Sequence, residues 1–262
     1  MSLLQGFSPL YAVSGLVVGF IVGLTGVGGG SLMTPILVLL FGVHPATAVG
    51  TDLLYAGLTK ALGTVFHGRH GSVDWRIVGL LASGSVPASV VTLYILRELG
   101  PQSSSTSAII SVSLGVALLI TAASLVFRDR LIAMTRGASA LPTLWQASLT
   151  VLTGLIVGVL VSISSVGAGA LGVTALYFLY PRLPARMIIG SDIAHAVPLT
   201  LVAGAGHWAL GSVNFAMLGS LLVGSLPGIV AGSLSAPRIP DHILRPILAA
   251  VLLLVGARLI LA

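Results

Sequence analysis

Four ionisable side chains stand inside long apolar stretches of this 262-residue chain: Asp52, Lys60, Asp192 and His195. A charge surrounded by apolar residues is costly, so each is a functional hypothesis by default. Asp52 and Asp192 each close a Gly-Thr-Asp or Gly-Ser-Asp triplet a few residues after a proline, Pro45 or Pro184. That chemistry suits a proton- or cation-coupling group, and the same placement would suit a helix N-cap. Lys60, the sole lysine, follows Asp52 by eight residues, about two helical turns, so both can share one face. It can balance an anionic ligand or pair internally with an aspartate. His195 lies almost one turn beyond Asp192, placed for a proton relay or for a structural role. His67 and His207 recur at the ends of equivalent segments, where capping at the membrane interface is the simpler reading.

Glycines supply the second kind of chemistry. Gly26-Val27-Gly28-Gly29-Gly30-Ser31-Leu32 and Ser165-Val166-Gly167-Ala168-Gly169-Ala170-Leu171 both break apolar stretches. A break inside a bilayer leaves N–H groups without helical partners and is tolerated only when buried or lining a watery cavity. The helices expected to start near Ser31 and Ala170 would present free N–H groups and positive dipole ends, which suits an anion. Close packing through small residues is the alternative. Recurrence of the break in both halves, with a short helix after each, favours a ligand site.

These residues must be held by helices in a membrane. The chain is 56% hydrophobic and 7% charged, whereas soluble domains carry roughly 25% charged residues. Apolar runs near 20 residues recur throughout without strand-like alternation, which predicts an all-α polytopic membrane protein. Ten helical segments are expected near 9–25, 31–43, 46–67, 74–97, 106–127, 143–163, 170–181, 184–207, 213–236 and 241–261. The first lacks a basic leader and a small-residue cleavage site, so it reads as a retained helix rather than a signal peptide. Pro87 and Pro227 fall mid-helix and predict kinks.

The segments repeat. Pro45 matches Pro184, Gly50-Thr51-Asp52 matches Gly190-Ser191-Asp192, and His67 matches His207. Gly71-Ser72-Val73-Asp74-Trp75 matches Gly211-Ser212-Val213-Asn214-Phe215, and Gly84-Ser85-Val86-Pro87 matches Gly224-Ser225-Leu226-Pro227, at a spacing of 139 to 140 residues. The expected organisation is an N-terminal repeat over 1–127, a connecting loop over 128–142 and a C-terminal repeat over 143–262. Arg128, Arg130 and Arg136 mark the loop as cytoplasmic. Counting outward, Arg69, Arg76, Arg182, Arg186, Arg238 and Arg245 also fall inside and both termini outside. Each half then crosses an odd number of times, giving two inverted-topology repeats of about five segments each. Segments 31–43 and 170–181 are short for a hydrocarbon core of about 30 Å. They are short or re-entrant helices, and the total is eight to ten membrane segments.

Other classes fare poorly. The net charge of +6 sits in short connections rather than a basic stripe, so nucleic acid is not an expected partner. With no cysteine, thiolate metal sites and disulfides are excluded. Ser164, Ser165, His195 and Asp192 could be drawn as a hydrolytic triad, but no Gly-x-Ser-x-Gly turn and no His-Glu-x-x-His zinc motif is present. No enzyme activity, cofactor or metal is expected.

On the glycine motif, the Pro45–Asp52 stretch, the Gly71–Trp75 turn and the second copy, the chain resembles the TauE/SafE family of sulfite and organosulfonate permeases over nearly its whole length. The resemblance implies secondary transport of a small sulfur-containing anion across the bacterial inner membrane, with the site where the two breaks meet. Ser165 and Ala168 replace glycines in the second copy, so that half would bind more through hydroxyls. The expected ligand groups are Gly28, Gly29, Gly30, Ser31, Thr34, Ser164, Ser165, Gly167, Ala168, Gly169 and Lys60, with Asp52, Asp192 and His195 as coupling groups. The expected partners are a small anion such as sulfite or sulfoacetate and the lipid bilayer, with room for a homo-oligomer. An anion channel is the alternative function.

Overall fold

The computed structural model describes residues 8–25, 30–69, 71–135, 142–235 and 241–261. Ten helices account for almost all of them: α1 (Pro9–Thr25), α2 (Gly30–Leu39), α3 (Pro45–Arg69), α4 (Trp75–Leu99), α5 (Ser104–Thr135), α6 (Thr143–Ser164), α7 (Ala170–Leu179), α8 (Ala185–Ala209), α9 (Phe215–Ser235) and α10 (Asp241–Leu261). Among the described residues there is no strand. Six of these helices are long and apolar enough to cross a membrane. In α2 and α7, ten residues give about 15 Å each, half a hydrocarbon core. The polar α3 spans 25 residues and carries Asp52 and Lys60. One helix differs from expectation: α5 runs on to Thr135, eight residues into the stretch assigned to the connecting loop.

Outward-facing Leu10, Val90, Leu144, Leu254 and Leu261 are mostly exposed. The three tryptophans, Trp75, Trp145 and Trp208, are also exposed and stand at or near helix ends. Such a surface belongs in lipid, with amphipathic rings at the interfaces. Lipid tails are as apolar as leucine, so close backbone packing must hold the helices together. Glycines provide it. A Cβ on Gly15 or Gly19 of α1 would meet the carbonyl of Leu221 or Ser225 on α9, and one on Gly154 or Gly158 of α6 would meet that of Leu81 or Ser85 on α4. The two contacts are equivalent under the repeat, and both helix pairs run parallel.

The central pair is different. Gly50 at the start of α3 packs on Ser212 just past α8, and Gly190 at the start of α8 packs on Ser72 just past α3. Equivalent helices α3 and α8 therefore lie side by side and antiparallel. Two matched hydrogen bonds fix the crossing: Asp74 N donates to Ser191 Oγ at 2.8 Å, and Asn214 N to Thr51 Oγ1 at 3.0 Å. Asp74 also caps α4 through Arg76 N, and Asn214 caps α9 through Met217 N. The duplicated Gly-Ser-Val-Asp/Asn turn thus ends one helix, starts the next and ties the halves together.

Candidate functional site

The site is built on the α3–α8 pair and the two short helices beside it. Asp52 lies seven residues beyond the start of α3, and Asp192 seven beyond the start of α8. Both are deep in their helices and almost fully buried. The N-cap reading of these carboxylates is therefore overturned; Asp74 is the acidic residue that caps a helix.

Their surroundings differ. Asp52 accepts a hydrogen bond of 2.5 Å from Thr34 Oγ1 of α2, while its Oδ1 has no partner. Position 34 corresponds to Val173 in the second copy, which has no hydroxyl to offer. Asp192 instead lies against Gly172 of α7, where a Cβ would overlap Oδ1, with the backbone N–H of Gly169 directed at its carboxylate and no side-chain hydroxyl bonded to it. Between the two carboxylates comes Lys60. Its Nζ donates to Ala168 O at 3.3 Å, within electrostatic reach of both carboxylates.

The second glycine break is fully described. Helix α6 ends at Ser164, and Ser165 takes a left-handed conformation with φ 59°, the one non-glycine among the described residues with positive φ. Gly167 and Gly169 follow at φ 128° and 124°, angles that L side chains rarely adopt. Gly169 precedes α7 and has no side chain to cap it, and the Asp192 carboxylate lies against its backbone N–H. Ser164 Oγ is engaged locally, donating to Leu160 O at 2.7 Å and accepting from Val166 N at 3.2 Å. By contrast Ser165 Oγ is buried and faces the Asp52 carboxylate. Of the two serines, Ser165 is the one that faces the carboxylate.

Gly28 and Gly29 of the first break lie outside the described residues, and Gly30 is the first residue of α2. Ser31 and Thr34 on α2 are buried. His195 is held by Ser85 of α4, with Nε2 to Oγ at 2.8 Å and Nδ1 unpartnered. His207 is buried rather than interfacial, with Nε2 against Ser162 O at 2.9 Å, so the capping role expected for it is replaced by a helix-to-helix tie. The side chain of His67 lies outside the described residues. A surface groove of about 390 Å³ between Leu93, Arg97, Gly206 and Leu210 contains none of the expected site residues.

Two participants escaped the sequence reading. Tyr55 follows Asp52 by less than a turn, is 1% exposed and turns its hydroxyl toward Ser225 of α9. Ser85 holds His195. The duplicated Gly-Ser-x-Pro at 84–87 and 224–227 was the available signal for Ser85, but its proline drew attention to kinking.

The arrangement brings the α7 N-terminus, one lysine, two buried carboxylates and the Ser165 hydroxyl together. Relatives agree with a transport role. The chain is 38% identical to a probable membrane transporter protein, YjnA, of Bacillus subtilis (strain 168), over 94% of this chain and 97% of the relative. It is 26% identical to another from that organism, YdhB, over 91% and 96%. With a probable membrane transporter protein of Xylella fastidiosa (strain Temecula1) it shares 28% over 93% and 91%. No solved structure matches. The family described as Sulfite exporter TauE/SafE matches residues 11–259, and the chain belongs to that family of membrane transporters.

Proposed function

We propose that the protein is a secondary transporter of a small sulfur-containing anion, a sulfonate such as sulfoacetate or sulfite, in the bacterial inner membrane. The anion binds where the two glycine breaks converge, on N–H groups of Gly28, Gly29, Gly30, Gly167, Ala168 and Gly169, with Ser31, Thr34, Ser165 and Lys60 around it. Ser164 supports the turn rather than the ligand. Asp52, Asp192 and His195 form the coupling set. The observation that carries this reading is the Lys60–Ala168 contact, which puts the chain's sole lysine beside the α7 N-terminus. A lysine and a helix N-terminus together favour an anion over a cation or a neutral solute. The printed family description names sulfite, which supports the substrate class.

Two inverted repeats, with both termini outside, complete the proposal. The antiparallel α3–α8 pair and the parallel α1–α9 and α4–α6 pairs support it, since each agrees with the directions that loop charges require.

The test is flux in proteoliposomes with labelled sulfoacetate and labelled sulfite under an imposed pH gradient. Saturable uptake that collapses with a proton uncoupler is expected. Non-saturating, uncoupler-insensitive flux would instead identify an anion channel, and no flux of either solute would sink the sulfur-anion reading.

A further inference from the structure

The N-terminus of α7 already has an occupant. Gly172 N bonds back to Gly167 O at 3.4 Å and Val173 N to Gly169 O at 3.2 Å. Ahead of them, the N–H groups of Gly169, Ala170 and Leu171 reach no carbonyl among the described residues. Such a cluster, at the positive end of a helix dipole, calls for an anion. Gly169 has no side chain with which to supply one. The carboxylate of Asp192, on the neighbouring helix α8 and 1% exposed, lies against the Gly169 N–H instead.

The sequence of α7 makes room for it. A Cβ on Gly172 would overlap Asp192 Oδ1, and the three atoms nearest to that Cβ are the carbon and two oxygens of the same carboxylate. Gly15 and Gly154, by contrast, are kept clear by the backbone of a neighbouring helix. Gly172 therefore serves a side chain rather than helix packing. A side-chain carboxylate is a tethered acetate, with the charge and oxygens of a small organic anion. Lys60, bonded to Ala168 O at 3.3 Å, stands at the same corner. Two anions pressed onto one N–H cluster away from water would repel strongly.

Resting on the transport reading above, we propose that Asp192 is the resident ligand of the α7 N-terminus, a tethered carboxylate that the transported anion must displace. Between cargoes its carboxylate serves the buried N–H groups and Lys60, which would otherwise stand without an anion. An arriving anion takes over the N–H groups of Gly169, Ala170 and Leu171, and the Asp192 side chain turns away from Gly169. Release of the cargo lets it return. This exchange of one anion for another is the part Asp192 plays in the coupling set. It also fixes the ligand class: a small anion with an oxygen-bearing head of carboxylate size, acetate included.

The experiment is equilibrium binding of labelled sulfoacetate to the full chain in lipid nanodiscs, compared with Asp192→Ala and Gly172→Ala. A resident present about nine-tenths of the time weakens apparent affinity about tenfold, so Asp192→Ala should bind about tenfold more tightly than the unaltered chain. Gly172→Ala keeps the charge and pushes only the carboxylate off the N–H, so it should tighten binding too. Acetate, which returns a free carboxylate, should displace sulfoacetate from Asp192→Ala at lower concentration than from the unaltered chain. Weaker or unchanged binding in either variant overturns the proposal. So does tighter binding in Asp192→Ala without greater sensitivity to acetate, which is plain charge repulsion. Should one variant fail to fold, the other decides. A second readout needs no substrate: hydrogen–deuterium exchange of amides 169–171 should quicken in Asp192→Ala and slow again with acetate. Exchange indifferent to Asp192→Ala removes the resident carboxylate. A chain that neither binds nor moves sulfoacetate or sulfite, yet shows this exchange pattern, sinks the sulfur-anion reading and leaves the resident carboxylate in place.

Discussion

At the scale of single residues, hydrogen-bond accounting separates side chains that look alike. Ser164 and Ser165 are neighbours, yet one spends its hydroxyl on the turn and the other turns it toward Asp52. Ser165 also holds a left-handed backbone that costs an L-residue roughly 1–2 kcal/mol. Ser165→Gly should therefore raise the melting temperature in detergent, by up to about 1 kcal/mol of stability, while lowering anion affinity. A variant stabilised with unchanged affinity would remove Ser165 from the site. Thr34→Val should do the reverse, leaving a buried carboxylate without its donor at a cost of about 1–3 kcal/mol in thermal unfolding. Thr34→Ser should restore most of it.

Among elements, the packing of α1 on α9 and of α4 on α6 depends on glycine at backbone-contact positions. A Cβ on Gly228 would meet Leu16 of α1, and one on Gly84 would meet Val151 of α6. Overpacking of this kind costs typically 1–3 kcal/mol. Gly228→Val and Gly84→Val should each lower the unfolding temperature, whereas Gly79→Val, with nothing within 4 Å, should not. Similar losses at all three would show that helix propensity, not contact, is being measured. The short α2 and α7 differ from these helices in purpose: each brings an N-terminus to the buried pair α3–α8 instead of covering lipid.

For the whole molecule, topology is the property to check. The chain has no native cysteine, so single-cysteine variants give a clean readout. In cells, a membrane-impermeant maleimide applied from outside should label Gln102→Cys, between α4 and α5, and should reach Ala133→Cys, on the α5 extension, only after permeabilisation; both positions are exposed. Labelling in the opposite order would invert the predicted orientation, and labelling of both from outside would refute the odd-parity count.

What the sequence determined by itself was the class, the segments and the duplication. Those signals are local: apolar length reports the bilayer, glycine and proline report breaks, and a 139- to 140-residue offset needs no coordinates. The helix ends were legible to within a few residues except in α5, whose charged extension is helical because Arg128–Thr135 contains no glycine or proline to stop it. Only the tertiary structure could decide which polar groups meet. Nothing in the run Gly-Ser-Asp announces that Asp192 meets a backbone N–H at Gly169 where Asp52 meets the Thr34 hydroxyl, because both donors stand outside its own helix. Nor could spacing say that Lys60 reaches Ala168, 108 residues away. Hydrogen-bond satisfaction in a buried site is a sum over neighbours distant in sequence, so it appears only once the helices are packed.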